Sequence, residues 1–432
     1  MINTEDLKGT IVSGENFILN QIGKIIPRDI VLPPEDIKKA GILYGIRRSG
    51  KSYILFDIFK KSKGDALYVD FEDERLEGFK AEDFESLKEA FFELKPHLIN
   101  KRHTLFLFDE IQNIDGWEKF LRRMVEREGI NVFATGSSSK MMPREIHTSL
   151  RGRSWGIEIS PFSFREFVKA KNIDTNDLDF IYGSKKALVK NCFHEYLKFG
   201  AFPEIAFLKS EYEKRKVIKE YLEAMFFKDL VERFSIKNIQ LLDVLRDKLF
   251  SSFSLKHSLT SFCKQYKDKF PFSKDSAFIY FRYFLESMLI FEVKKFSESS
   301  YQRLRNPAKI YLIDVGLAKK VTSQDTGRVL ENIVFLELRK DATEVFYFED
   351  TGECDFVVKN QDGLSCYQVA WEMDDKTKSR EANGLLEASK HLKLKTGTIL
   401  TYDQEGQEKI NGFTIVIKPV WKWLLQRTKV AF

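Results

Sequence analysis

The sequence predicts an α/β protein whose first domain is a three-layer parallel sheet. Four apolar runs of strand length lie between residues 41 and 135, and helical patterns separate them. Strands that are apolar along their whole length are buried on both faces. Helices that alternate with such strands cover both faces of a parallel sheet. The predicted strands are Gly41–Gly45, Ala66–Asp70, Thr104–Phe108 and Asn131–Thr135, and the predicted helices are Lys51–Lys61, Asp83–Leu94 and Trp117–Glu128.

The chain has 432 residues, of which 43% are hydrophobic, and it is therefore too long for one ordinary core. The patterns predict four segments: 1–160, the sheet domain with a helical lead-in; 161–238, mainly helical; 239–320, three helices followed by two strands; and 321–432, a second, smaller α/β domain. Three helices followed by a two-stranded hairpin is the order of elements in a winged helix.

The four cysteines are far apart and fit neither a disulfide framework nor a zinc site. The N-terminus lacks the pattern of a signal peptide, and the longest apolar runs are too short to span a bilayer. We therefore expect a cytoplasmic protein that does not associate with membranes. The formal net charge of +6 is compatible with a nucleic-acid partner without arguing for one.

A phosphate-binding loop is predicted directly after the first strand, because this segment matches GxxxxGK[ST] and opens a helix. Glycines let backbone amides close around phosphates, and the helix N-terminus favours negative charge. Lys51 would neutralise the β- and γ-phosphates of ATP, and the Ser52 hydroxyl would bind Mg²⁺. The alternative is an ordinary strand-to-helix turn. The predicted loop residues are Gly45, Ile46, Arg47, Arg48, Ser49, Gly50, Lys51 and Ser52.

Two carboxylates end the third predicted strand, at the edge of the sheet where the loop also lies. Asp109 would hold Mg²⁺ through water, and Glu110 would polarise the attacking water. The alternative is a solvated acidic turn.

The fourth predicted strand ends in hydroxyl residues, one of which would sense the γ-phosphate. We favour Ser137 over Thr135, and a serine-rich helix cap is the alternative. Arg151 and Arg153 follow, and either arginine would reach a phosphate in the same or a neighbouring subunit. A simple surface pair is the alternative for these two arginines.

The motifs GIRRSGKS, FDEIQNIDGW, TGSSSKM, LRGRS, SPFSFREF and FGAFPE resemble those of a group of bacterial and archaeal AAA+-related P-loop ATPases. The resemblance implies an AAA-type ATPase core, a winged-helix region and a C-terminal fold like that of restriction endonucleases. Because AAA-type sites are usually completed by an arginine of a neighbour, it also implies self-association as a dimer or ring.

Nucleases of the PD-(D/E)xK type bring carboxylates and a lysine together to bind Mg²⁺ and activate water. Here the helix offers Glu331 and Glu337, and a following strand offers Asp355. Gln368 and Ala370 stand where the second carboxylate and the lysine belong. Glu372 is the one nearby replacement carboxylate. We therefore predict a degenerate nuclease site, which either lost cleavage and kept a nucleic-acid surface or serves the fold alone.

Basic residues are concentrated between Arg246 and Lys309, where thirteen basic and six acidic residues lie. A winged helix with this bias is a reasonable binder of the DNA backbone. The alternative is a solvated basic face used for packing or oligomerisation. The predicted DNA contacts are Lys274 and Arg282 on the recognition helix, with Lys294, Lys295, Arg303 and Arg305 on the wing.

These patterns together predict an ATPase that couples ATP hydrolysis to the binding or remodelling of DNA. Branched DNA, such as a Holliday junction, is the substrate by analogy with junction resolvases of nuclease-like fold. One alternative is a regulatory or signalling ATPase that uses ATP to recruit a protein partner. A weaker alternative is a Mg²⁺-dependent nuclease.

Overall fold

A computed structural model describes residues 3–34, 36–99, 101, 104–137, 148–175, 179–299, 301, 303, 306–318, 325–374 and 377–427. The chain divides into two compact units, Met1–Pro161 and Phe162–Phe432.

The first unit is built on a five-stranded sheet in which every neighbouring pair of strands is parallel, in the order β2-β3-β4-β1-β5. This finding confirms the predicted parallel sheet. Its strands are β1 (Ala40–Gly45), β2 (Ala66–Asp70), β3 (Leu105–Asp109), β4 (Asn131–Ser137) and β5 (Ser154–Glu158), and its helices are α1 (Thr4–Gln21), α2 (Lys51–Lys61), α3 (Asp83–Leu94) and α4 (Trp117–Arg123), which continues as a π-helical segment, Met124–Glu128.

Two hydrophobic clusters lie on opposite faces of this sheet and make it three-layered. Along β1, for example, Ile42 packs with α3 and α4, whereas Leu43 packs with α2. Successive side chains of a strand point to opposite faces, so each fully apolar strand supplies both clusters. The strand β5 was not predicted, because it is a short edge strand whose exposed positions interrupt any apolar run.

The second unit contains a mixed sheet of nine strands in the order β13-β14-β12-β11-β10-β9-β7-β8-β6. Its helices are α5 (Phe164–Ala170), α6 (Asp179–Tyr182), α7 (Lys185–Phe199), α8 (Pro203–Phe207), α9 (Glu211–Ala224) with a π-helical continuation, Met225–Glu232, α10 (Ile239–Ser251), α11 (Leu259–Tyr266), α12 (Lys274–Glu286), α13 (Thr326–Asp341), α14 (Thr377–His391) and α15 (Val420–Gln426). Its strands are β6 (Leu255–His257), β7 (Ile290–Lys295), β8 (Ala308–Leu312), β9 (Glu344–Glu349), β10 (Glu353–Asn360), β11 (Gly363–Ala370), β12 (Thr396–Thr401), β13 (Gly406–Ile410) and β14 (Phe413–Pro419).

The end of β7 pairs in parallel with β9, through Lys294 opposite Phe346 and Lys295 opposite Tyr347. The predicted segments 239–320 and 321–432 therefore share one continuous sheet, and neither they nor 161–238 form separate compact units. No local pattern could show this, since the pairing joins strands about 50 residues apart in sequence.

Three segments whose sequence predicted no chemistry meet inside the second unit. Ser163, in SPFSFREF, caps α5 in a capping box. The Phe162 amide donates to the Ala201 carbonyl of FGAFPE at 2.9 Å, and the Ala201 amide donates to the buried Asp314 carboxylate at 2.8 Å. Gly200, beside this contact, adopts a φ of +74°. These motifs therefore hold the fold together at the start of the second unit.

Replacing Gly200 with alanine is expected to lower the free energy of unfolding by about 2–4 kcal/mol. A Cβ atom at Gly200 would lie 1.7 Å from Asp314 Oδ1 and 2.8 Å from the Gly316 amide, in a left-handed backbone conformation. Urea unfolding measures the change. Gly327→Ala is the control, because open space surrounds Gly327 in α13, and an unchanged midpoint for Gly200→Ala would contradict the packing described above.

Candidate functional site

The predicted phosphate-binding loop joins the end of β1 to the start of α2. Gly50, at the start of the helix, has a φ of +91°, and a Cβ atom at Gly45 would lie 2.1 Å from the Ile159 carbonyl oxygen. Both positions therefore require glycine. No side chain of the described residues caps α2, so its N-terminus presents backbone amides and a positive dipole end. This geometry fits the phosphates of a nucleotide.

Lys51 is 5% exposed, and its ammonium lies over the loop, 3.2 Å from the Gly45 carbonyl and 3.1 Å from the Ile46 carbonyl. Arg28 stabilises the loop from the lead-in, donating to the Ser49 carbonyl at 2.8 Å and to the Ser160 carbonyl at 2.6 Å. Arg28 was not predicted as a site residue, because it lies 21 residues before Ser49 in a segment with no motif.

Asp109 ends β3 and is 3% exposed. Its carboxylate is hydrogen-bonded to the hydroxyls of Ser52 and Thr135 and accepts from the Tyr68 hydroxyl at 3.3 Å. Burial and then the charge of Glu110 raise the pKa of Asp109, whereas the two hydroxyls and Lys51 oppose the rise. A buried carboxylate beside a serine hydroxyl is a donor set that fits Mg²⁺, whose charge would stabilise the ionised form.

Glu110 has a φ of +49°, a left-handed conformation that is uncommon outside glycine. Its backbone amide donates to the Thr135 hydroxyl at 3.0 Å, and that hydroxyl donates to Asp109. Thr135 therefore connects the two catalytic candidates. The favoured residue, Ser137, pairs with Gly45 through the backbone, and its side chain lies outside the described residues. The feature that favours Thr135 over Ser137 is that it is buried in β4, in register with the end of β3.

Asp70 is a third carboxylate at this edge, and it was not among the predicted site residues. It lies directly opposite Asp109 in the β2–β3 register. Burial and the neighbouring Asp109 charge raise the pKa of Asp70 to about 7. Its position at the carboxyl end of a buried strand was the available signal. Asp70, Asp109 and Glu110 therefore converge at this edge of the sheet, which increases the negative potential for a cation.

Substituting Asp70 with asparagine is expected to flatten the pH dependence of stability between about pH 4 and pH 7. The raised pKa means that the folded protein holds this proton more tightly than the unfolded chain, so Asp70 makes stability fall as pH rises through that window. Since Asp70 is partly exposed, the substitution is expected to increase the free energy of unfolding at neutral pH by on the order of 1–2 kcal/mol.

Urea unfolding of the wild type and the Asp70→Asn variant at acidic and neutral pH measures this effect. Parallel pH profiles would contradict it. Asp73→Asn is a matched control, because Arg75 lowers the pKa of Asp73 and the sign of its contribution is opposite.

Arg151 and Arg153 lie just before β5, at the opposite edge of the sheet from the loop. The Arg153 carbonyl accepts from the Ala40 amide, at the amino end of β1, while Gly45 ends that strand. Six strand residues span roughly 17–20 Å, beyond the reach of an arginine side chain. A contact with phosphates in the same chain's loop is therefore excluded, which leaves a contact with a neighbouring subunit and the surface pair as alternatives. Arg153 does form an ion pair with Glu126 at 2.7 Å, with both side chains partly exposed.

The residues of the predicted degenerate nuclease site do lie together in the second unit, as Glu331, Asp355 and Gln368. The Gln368 side-chain carbonyl accepts from the Asp355 amide at 3.1 Å, and its NH₂ group donates to Glu381 at 2.6 Å. Lys309, one of the thirteen basic residues between Arg246 and Lys309, is 3% exposed and lies at the centre of this cluster.

The Lys309 ammonium lies 2.9 Å from Asp355, 3.0 Å from Glu331 and 2.7 Å from Glu353. Burial alone lowers the pKa of Lys309, but these three carboxylates raise it well above the ordinary value. The ammonium thus provides the positive charge that a metal ion supplies in a nuclease. Among the described residues no cluster of three or more His, Cys, Asp or Glu side chains is arranged to hold a metal ion.

The predicted DNA contacts differ in how they are presented. Lys274 and Arg282 are exposed on one face of α12, beside Phe278 and Ile279, which are 43% and 46% exposed. Lys294 and Lys295 are only half-exposed, because β7 pairs with β9 instead of projecting as a free wing. Arg303 lies 5.7 Å from the Phe346 ring, and Arg305 lies outside the described residues.

Two stretches of the chain match known protein families. Residues 38–168 match the family described as "AAA domain", and residues 190–328 match a "Domain of unknown function (DUF8612)". Across the part of the chain that the structure describes, no helix is long and apolar enough to cross a membrane.

"Uncharacterized protein MJ1544" of Methanocaldococcus jannaschii is 37% identical over 428 residues, covering 95% of this chain and 93% of that protein. An "Uncharacterized protein" of Haemophilus influenzae is 28% identical over 403 residues, covering 89% of this chain and 94% of that protein. The Walker-type ATPase PABY2304 of Pyrococcus abyssi has a TM-score of 0.39 at 14% identity over 73% of this chain and 95% of its own, and this likeness is too low to bear on function. Since the identity to MJ1544 extends over nearly the whole of both chains, this chain belongs to the same protein family as MJ1544 and carries an AAA-type P-loop domain at residues 38–168.

Proposed function

We propose that the chain is an ATPase that binds ATP and Mg²⁺ at the loop between β1 and α2. One observation carries the proposal: the buried Asp109 carboxylate shares hydrogen bonds with Ser52 and Thr135, directly beside Lys51 and Glu110. These groups supply the parts that phosphoryl transfer requires, namely a phosphate cradle, a metal ligand and a carboxylate for water.

Each side chain then has one role. Lys51 neutralises charge on the β- and γ-phosphates, and Ser52 with Asp109 would hold Mg²⁺, which supplies charge stabilisation at the transferred phosphoryl group. Glu110 orients the attacking water or accepts its proton. Thr135 positions Asp109 and the Glu110 backbone through its two hydrogen bonds.

Changing Glu110 to glutamine tests this assignment, because the amide keeps the size of the side chain and loses its basicity. ATP turnover is expected to fall by about 10²–10⁴-fold while ATP binding persists. Phosphate release and the binding of a fluorescent ATP analogue are the two measurements. Hydrolysis at the wild-type rate would remove Glu110 from the mechanism. Glu118→Gln, a change on the nearby helix α4, is the control.

The second part of the proposal is self-association. Arg151 and Arg153 cannot reach the loop of their own chain, so either arginine would act only at the ATP site of a second copy. A turnover per chain that rises with protein concentration supports this arrangement, and a constant turnover down to full dilution contradicts it.

The third part of the proposal is that the nucleotide cycle controls binding to DNA, including branched DNA such as a Holliday junction. The order α10–β6–α11–α12–β7–β8, with β8 pairing with both β6 and β7, is the order of a winged helix. Exposed Lys274 and Arg282 on α12 are suited to phosphate contacts. Stimulation of ATP turnover by duplex or four-way DNA supports the coupling, and its absence with every DNA structure contradicts it.

A regulatory ATPase that recruits a protein partner is the main alternative function, and the exposed Phe278 and Ile279 on α12 favour it. Very slow turnover with tightly retained nucleotide would distinguish such a switch from a DNA-stimulated ATPase. The nuclease alternative has little support, because the Lys309 ammonium lies among its carboxylates. Nicking of plasmid DNA in the presence of Mg²⁺ or Mn²⁺ would support the nuclease alternative.

A further inference from the structure

A basic groove lies on the first unit, at the edge of the sheet opposite the phosphate-binding loop. It has a volume of about 360 Å³ and is formed by α4, its π-helical continuation and the turn before β5. The side chains that line this basic groove are Lys119, Arg122, Arg123, Glu126, Arg127 and Arg151.

Most of its positive charge has no partner within the described part of the chain. Arg123 pairs with Glu85 and Glu128, and Glu126 pairs with Arg153 at 2.7 Å. By contrast, four cations of the groove form no ion pair with any described residue: Lys119, Arg122, Arg127 and Arg151. Like charges that face one groove repel each other, and a bound anion would relieve that repulsion.

The position of the basic groove separates it from the ATP site of its own chain. The π-helical segment leads into the amino end of β4, and Arg151 precedes the amino end of β5, whereas the phosphate-binding loop follows the carboxyl end of β1. All three strands are parallel, so the strand length separates groove and loop. A phosphate bound in the groove must therefore belong to a molecule other than the nucleotide bound to the same chain.

We propose that the basic groove binds the phosphate backbone of a nucleic acid, as a second contact surface on the ATPase unit. Lys119 and Arg127 are eight residues apart, about two turns along α4 and its π-helical continuation. Phosphates repeat regularly along a DNA strand, so a row of cations of this length can contact more than one of them. A single terminal phosphate would engage only one or two of the cations. The inference rests on the DNA association proposed above.

The double variant Arg122→Ala/Arg127→Ala tests the proposal in the full chain. Fluorescence anisotropy with a labelled DNA duplex, measured over a salt series, gives the slope of the logarithm of affinity against the logarithm of salt. This slope is expected to shrink by about 2, one for each lost phosphate contact. Basal ATP turnover is expected to be unchanged, because neither arginine touches the ATP site.

Three further double variants complete the design. Arg122→Lys/Arg127→Lys retains both charges and is expected to retain most of the slope. Lys60→Ala/Lys80→Ala removes two exposed cations of the same unit that lie outside the groove, and it is expected to leave the slope intact. Lys274→Ala/Arg282→Ala reports separately on α12 in the second unit.

The possible outcomes distinguish a failure of the groove proposal from a failure of the proposed function. An unchanged slope and affinity for the alanine pair, with wild-type DNA binding intact, overturns the groove and leaves the DNA association standing. A loss of ATP turnover with unchanged DNA affinity also overturns it, because the groove would then serve the nucleotide of a second copy. If the wild type binds no DNA at all, both proposals fall.

Discussion

Replacing Lys51 with alanine is expected to reduce ATP turnover by about 10²–10³-fold or more and to weaken ATP binding. The ammonium is held over the loop by the Gly45 and Ile46 carbonyls, at the point where β- and γ-phosphates would lie. Because it is 5% exposed, its charge acts in a medium that screens it weakly, and removing it costs more than removing a surface charge.

The assay is steady-state phosphate release, paired with titration of a fluorescent ATP analogue. Lys60→Ala is the matched control, since Lys60 lies near the end of the same helix, α2, and is exposed. Unfolding by urea shows whether the Lys51→Ala variant is folded. If the folded variant hydrolyses ATP at the wild-type rate, the hydrolytic site must lie elsewhere in the chain, and the roles assigned to Ser52, Asp109 and Glu110 fail with it.

The parts of the fold that the sequence predicted are those specified by local patterns. The limits of α2 and α3 match the predictions residue for residue, because their apolar faces repeat with the helical period. Each predicted strand of the first sheet agrees with the structure within two residues at either end. Those strands are buried on both faces, and a continuous apolar run is a strong signal.

The missed features depend on contacts between segments distant in sequence. Asp70, which was not predicted, and Thr135, which was the second choice after Ser137, reach Asp109 only through the register of β2, β3 and β4. The pairing of β7 with β9 turns a predicted wing into part of a larger sheet. Composition also misplaced Lys309, because a count of charges cannot distinguish a solvated lysine from one surrounded by carboxylates.

The largest stability effect is expected for Lys309→Met, with a loss of about 3–5 kcal/mol in the free energy of unfolding at neutral pH. Methionine keeps most of the length of the side chain and removes its charge, leaving Glu331 and Asp355 close together without this cation, while Glu353 keeps its pair with Lys256. Like charges in a buried site raise one another's pKa values, so the loss is expected to shrink as pH falls and the carboxylates take up protons.

Lys256→Met is the matched control, because Lys256 also pairs with Glu353 and with Glu349 but its side chain is 30% exposed. An ion pair with that much solvent contact contributes up to about 1 kcal/mol. Equal losses in the free energy of unfolding for the two variants would show that burial does not increase the contribution of Lys309. If Lys309→Met is as stable as the wild type at neutral pH, the carboxylates already share protons and the ammonium is not the cation that holds this cluster together. In that case the cluster would resemble a metal-binding nuclease centre only in the arrangement of its acidic residues.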